Sequence, residues 1–168
     1  MKRTIDRHFL EINSLKDLIE AKAPQQECSI KLVKPSNFQL NKFFYKNVGK
    51  NYRWVDRLVW SENKWIEYSS DSSVNTYTLK VNKDLAGYFE LILHLDRNEI
   101  EIAYLGLLED YYYKKLGSYL LSTAIKKSFE NKKIKKVWVH TCTLDHKNAL
   151  KNYLARGMKI FKKETISI

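Results

Sequence analysis

The stretch EIAYLGLLEDYYYKKLGSYLL, residues 101–121, decides how this chain is read. An apolar strand runs through a tight turn straight into a helix that opens around Gly117. A helix start leaves several backbone N–H groups without intrahelical partners. Here those donors run from Tyr113 through Lys114, Lys115, Leu116 and Gly117 to Ser118. Together with the helix dipole they form a site suited to phosphate oxygens. The plainer reading of the same residues is an ordinary strand, turn and helix carrying two solvated lysines, since a lone glycine is a weak signal.

Working outward, residues 74–81, 87–95 and 99–107 are β-rich and separated by NKD and DRN, which suit antiparallel hairpins. A long amphipathic helix is predicted over residues 115–131, then a short buried strand over 136–142, a helix over about 145–155 and strand character over 158–165. Towards the N-terminus, strands are predicted near 4–12 and 29–33. Ser36 or Asn37 caps a helix ending near Gly49, and a second helix starts after Ser61. The fold class is α+β, a mixed, mostly antiparallel sheet flanked by helices. No repeat, low-complexity tract or Pro/Gly/Ser linker divides the chain, whose prolines are Pro24 and Pro35, so residues 1–168 are expected to form one domain.

With 168 residues, 44% of them hydrophobic, the chain is long enough for a substantial core. No run of eighteen apolar residues occurs and the first residues alternate charged with apolar side chains, so the expectation is a cytoplasmic protein with no membrane partner. Cys28 and Cys142 fit no metal or disulfide spacing and read as free thiols, with no metal expected. The net charge of +11 comes mostly from lysine in an Asn-, Ile- and Tyr-rich chain, a mixture that coding bias alone produces. It is weak support for a nucleic-acid partner, because no zinc finger, RNP motif or helix-turn-helix pattern accompanies it. The cluster of Lys114, Lys115, Lys126, Lys127, Lys132, Lys133, Lys135 and Lys136 flanks the predicted phosphate site.

At residues 112–117 the sequence resembles the acyl-CoA signature of the GNAT superfamily, an Arg or Gln, two residues, Gly, one residue, then Gly or Ala. Its positions fall on Tyr112, Lys115 and Gly117, and only the last is conserved in kind. HKNALKNYLARGMK, residues 146–159, resembles a later family motif, with Ala149, Tyr153 and Gly157 in agreement, His146 in place of Asn and Met158 in place of an aromatic. VWVHTCTLDH, residues 137–146, is similar to the fifth core strand of a bacterial subgroup. The resemblance covers most of the chain. It implies a GNAT-like N-acetyltransferase whose co-substrate is acetyl-CoA and whose acceptor is a primary amine of a small molecule or a protein. It also implies that the fourth and fifth core strands splay, leaving Leu105, Gly106, Leu107 and Leu108 as the edge that meets the pantetheine arm.

Acyl transfer to an amine needs a neutral nucleophile, a donor for the oxyanion and a proton for the departing thiolate. A lysine-like amine of pKa ~10.4 is neutral in about one molecule in 2,500 at pH 7, so a base or a desolvating pocket must help. By resemblance Glu101 is the first candidate base, an edge-strand glutamate facing water being its plainer reading. Glu90, a carboxylate inside the apolar strand GYFEL, is the second, a cross-strand ion pair being its plainer reading, and His140, on the buried strand, is the third, a satisfied core histidine being its commoner explanation. Tyr153 is the candidate acid, or a core ring beside Leu150 and Leu154. A backbone N–H near Leu107 is the expected oxyanion donor. Arg57, between Trp54 and Trp60, either recognises a substrate carboxylate or pairs with Asp56 or Glu62. Two other functions compete: a non-catalytic acyl-CoA-binding module, favoured by the changes at Tyr112 and Lys115, and a basic nucleic-acid-binding domain. Oligomeric state, a homodimer included, is not legible.

Overall fold

The computed structural model describes residues 2–168. Seven strands form one sheet: β1 (Thr4–Ile12), β2 (Cys28–Leu32), β3 (Val74–Val81), β4 (Asp84–His94), β5 (Glu99–Leu107), β6 (Lys136–Cys142) and β7 (Lys159–Ser167). Four helices accompany it: α1 (Phe38–Gly49), α2 (Glu62–Ser70), α3 (Leu116–Phe129) and α4 (Ala149–Ala155). The strand order is β2-β3-β4-β5-β6-β1-β7, antiparallel throughout except for β5 beside β6.

Local chemistry sets the element boundaries. Asn37 caps α1 through its side chain, which accepts from the Gln39 amide, and Ser61 caps α2 in the same way through the Lys64 amide. Asn82 and Lys83 both hold positive φ, 49° and 73°, the two-residue loop geometry whose twist matches the β3–β4 hairpin. The predicted helix over 145–155 begins only at Ala149. The Asp145 carboxylate instead accepts from Thr141 Oγ1 at 2.6 Å and from the Cys142 amide at 3.0 Å, closing a turn at the end of β6.

The helices pack on opposite faces of the sheet. Leu116, Leu120, Leu121 and Ile125 of α3 are fully buried against Leu10, Ile12, Ile102 and Val137, each such side chain contributing about 1.5–3 kcal/mol. Phe44 and Val48 of α1 bury Tyr88 on the other face, with Phe44 stacked on it at 4.8 Å.

The site depends on where β5 and β6 part. Their parallel pairing comprises Glu99 with Lys136, Ile100 with Val137 and Glu101 with Trp138, and then ends. On its other side β5 keeps pairing with β4 to Leu107, through a bulge that leaves Ala103 without an opposite residue. A bulge bends and twists its strand, and β5 turns away from β6 beyond this point.

Candidate active site

The gap between β5 and β6 is a cleft of about 660 Å³. One wall is residues 102–107 of β5, and the facing wall is Val139, His140 and Cys142 of β6. Tyr112, Tyr113, Lys115, Leu116, Gly117 and Ser118 close one end, with His146, Ala149, Asn152 and Tyr153 beside them. Trp54, Val55 and Asp56, from the connection between α1 and α2, close another part. Of the residues expected to hold the co-substrate, all but Leu108 and Lys114 line this cleft. Leu108 packs instead with Phe44, Val48 and Tyr88, and the Lys114 ammonium lies over the Tyr111 ring at 5.5 Å.

The start of α3 keeps an open shape without the glycine that the motif leads one to expect. Lys115, which caps the helix, has φ 60° and ψ 19°, and Tyr113 has φ 61°. Both are left-handed conformations that glycine adopts freely and other residues adopt at a cost. No side chain caps α3. A Cβ built on Gly117 meets Asn152 and Leu107 at 3.9 Å, an ordinary contact distance, so nothing in the protein itself requires a glycine at this position. Gly106 differs: a Cβ there collides with Val48, so α1 already occupies the close approach that this glycine permits. Leu108 N–H donates to Ala86 O at 2.8 Å across β4. The alternation of a strand therefore turns the Leu107 N–H to the opposite edge, towards the splay.

Aromatic side chains bridge the cleft at the Tyr112 position. The Tyr52 hydroxyl donates to the Tyr112 hydroxyl at 3.0 Å, and the His146 ring meets Tyr112 at 5.1 Å and Tyr52 at 5.9 Å, edge to face. Burial is the main cause that holds the Tyr112 hydroxyl above its usual pKa. Burial and the neighbouring Lys147 hold His146 below its own. On α4, Asn152 donates to Gly117 O at 3.1 Å and ties that helix to the start of α3. Asn152 carries no local sequence signal, since its partner lies 35 positions away.

The candidate bases separate. Glu90 is fully buried and does not reach the cleft. Its carboxylate accepts from Arg57 Nη1 at 2.9 Å, Tyr68 Oη at 2.6 Å and Asn41 Nδ2 at 2.8 Å, which accounts for a carboxylate in that apolar strand. Arg57 thus pairs with Glu90 and with neither Asp56 nor Glu62, and it is too enclosed to meet a substrate carboxylate. Glu101 sits at the last β5–β6 pair, 3.0 Å from His94 Nε2, and is not part of the cleft wall. His140, expected to be buried, opens onto the cleft beside the Phe9 ring at 5.5 Å. Desolvation, then Arg7, holds its pKa below the usual histidine value, while Glu101, Asp145 and Glu164 oppose that shift. Tyr153 lines the cleft and is otherwise buried; burial and then Asp145 raise its hydroxyl well above the usual tyrosine value.

Charge elsewhere is mostly neutralised locally or faces solvent. Lys126 pairs with Glu20, Lys127 with Glu130 and Lys136 with Glu11. Among the described residues no group of three His, Cys, Asp or Glu side chains is placed to hold a metal ion, and no helix is long and apolar enough to cross a membrane. Both cysteines are free.

Residues 44–158 match the family model described as Acetyltransferase (GNAT) family. The fold is similar to a GCN5-related N-acetyltransferase from Kribbella flavida (TM-score 0.68, 14% identity, 96% of this chain and 56% of that one). It is also similar to one from Sphaerobacter thermophilus (TM-score 0.72, 10% identity, 99% and 52%). A Bacillus subtilis acetyltransferase in complex with CoA matches with TM-score 0.60 and 20% identity over 81% of this chain and 79% of that one. The chain spans just over half the length of the first two. No curated protein matches it in sequence.

Proposed function

Since the chain belongs to the acetyltransferase (GNAT) family, we propose that it transfers an acetyl group from acetyl-CoA to a primary amine in the cleft between β5 and β6. The observation that carries this reading is the splay of the two strands directly beside an uncapped helix start, with Tyr113 and Lys115 holding the left-handed turn between them.

Acetyl-CoA supplies the activated acetyl thioester. The amides of residues 113–118 receive its pyrophosphate, with Lys115 adding charge. The free edge of β5 at Leu105 and Leu107 pairs with the pantetheine arm, and His146 and Ala149 form the far side. The Leu107 N–H stabilises negative charge developing on the acetyl oxygen, because it is a fixed donor already turned to the splay.

His140 takes the proton from the acceptor amine. It lines the cleft, and its lowered pKa keeps the imidazole neutral and able to accept at pH 7. Glu101 acts through His140, its negative charge favouring the imidazolium that forms. Tyr153 returns a proton to the departing thiolate: its side chain lines the cleft, and a tyrosine hydroxyl is protonated at pH 7. The test is release of free CoA thiol from acetyl-CoA over a panel of amines. Amine-dependent release is expected. Binding of acetyl-CoA without release for any amine would favour the non-catalytic binding module.

A further inference from the structure

Arg57 is drawn into the protein, and the residue before it is turned to the cleft. The Arg57 amide donates to Tyr45 Oη at 3.1 Å and its guanidinium is held by Glu90, which fixes this connection against the sheet. Asp56 is exposed and lines the cleft, and among the described residues no Lys, Arg or His lies within ion-pair distance of it. Beside it in the cleft wall stand Trp54 and Tyr104, ring centroids 4.7 Å apart and edge to face. Burial is the main reason that the Tyr104 hydroxyl is held above its usual pKa, Arg57 opposing and the Asp56 charge adding to it, which places Asp56 and Tyr104 within electrostatic reach.

The other carboxylate in the cleft wall, Asp145, is engaged by Thr141 and Cys142. None of the cations of the wall pairs with Asp56: Lys115 and Lys151 stand at α3 and α4, Arg7 faces Glu164 at 4.0 Å, and Arg53 makes no ion pair with it. The Arg57 guanidinium, 4.4 Å from the centre of the Tyr104 ring, is neutralised by Glu90.

We infer that Asp56, Trp54 and Tyr104 form an ammonium-binding subsite that selects an aliphatic diamine or polyamine as the acceptor. A carboxylate beside two aromatic rings is the chemistry that holds an organic cation. The same surroundings keep a bound amine protonated, and a protonated amine has no lone pair with which to attack. The nitrogen held at Asp56 is therefore not the one acylated, and the acceptor carries a second amine further along its chain. This inference rests on the acetyltransferase reading for the fate of that second nitrogen, but the subsite binds amines whether or not transfer follows.

The experiment is calorimetric titration of the protein alone with 1,4-diaminobutane and with its uncharged analogue 1,4-butanediol, in the wild type, Asp56→Asn and Asp56→Glu. The diamine is expected to bind the wild type about tenfold more tightly than the diol. Asp56→Asn should reduce that ratio to about two or less, and Asp56→Glu should keep most of it. Equal affinity for the two ligands in the wild type, or a diamine preference that survives Asp56→Asn, overturns the inference. A parallel acetyl-CoA titration separates the two readings. Its failure counts against the acetyltransferase assignment alone, and an unchanged response in Asp56→Asn shows that the variant is folded.

Discussion

Arg57 Nη1 and Glu90 Oε1 lie 2.9 Å apart with both side chains buried, and five aromatic rings stand within 6 Å of the guanidinium carbon, Tyr68 nearest at 4.1 Å. Burial opposes the Arg57 charge, and Glu90 and Tyr68 together more than offset it, leaving the guanidinium more firmly protonated than a free arginine. This pair joins the α1–α2 connection to β4 beneath the cleft wall.

Breaking one side of such a pair is costly because it strands the other charge. Arg57→Met is expected to lower stability by about 3–5 kcal/mol, whereas Arg57→Met combined with Glu90→Leu should cost clearly less than the single change. Urea unfolding of the three proteins measures this. A loss below about 1 kcal/mol for Arg57→Met would show that the pair does not anchor the connection.

Lys115 bears the left-handed backbone of the turn into α3, where a Cβ costs about 1–2 kcal/mol. Glycine relieves that strain and returns part of the gain as chain entropy. Lys115→Gly should therefore stabilise the fold by up to about 1 kcal/mol, and Lys115→Val should destabilise it by more than about 1 kcal/mol. Thermal unfolding checks both. If the valine variant were as stable as the wild type, φ at this position would not be positive.

Much of this was legible where the signal is local. The predicted strands 4–12, 74–81, 99–107 and 136–142 coincide with β1, β3, β5 and β6, since alternation and turn residues lie within each segment. The insertion of β1 between β6 and β7 was not legible, because pairs such as Leu10 with Val139 join residues far apart in sequence. The same limit hid the Glu90 partners, which come from α1, α2 and the connection between them. His140 stands between Val139 and Thr141 in an apolar run, a pattern that implies burial. Those two neighbours are buried, whereas the His140 side chain is exposed where β6 parts from β5.

The pKa of His140 is lower in the folded protein than in the unfolded chain, where it is about 6.5. Its contribution to stability is therefore present above pH 6.5 and is lost as pH falls through the folded value, since the unfolded chain binds the proton more readily. In turnover the same group predicts an acid limb in kcat/KM with an apparent pKa below 6.5. His140→Gln should remove that limb and reduce kcat/KM at pH 7 by about 100-fold or more. Glu101→Gln should instead move the limb to lower pH, because the lost charge favoured the imidazolium. Collapse of activity at neutral pH in Glu101→Gln, with His140→Gln active, would make Glu101 the base.

Tyr153→Phe removes one hydroxyl and keeps the ring that packs in the core. It should lower kcat by about 100-fold across the pH range and leave acetyl-CoA affinity within about twofold. Steady-state kinetics paired with calorimetry reads both quantities. Unchanged kcat would mean that the thiolate leaves without this proton.

The proposed transfer requires acetyl-CoA to occupy the β5–β6 cleft with its phosphates at the start of α3. The most direct measurement is calorimetric titration of acetyl-CoA into the wild type, Lys115→Glu and Lys132→Glu. Lys115 lines the cleft, and Lys132 is exposed and lies outside it. Saturable binding is expected in the wild type, weakened about tenfold or more by Lys115→Glu, where a carboxylate replaces a cation beside the phosphates, and changed less than about twofold by Lys132→Glu. No saturable heat at millimolar acetyl-CoA, or equal losses in the two variants, would contradict it.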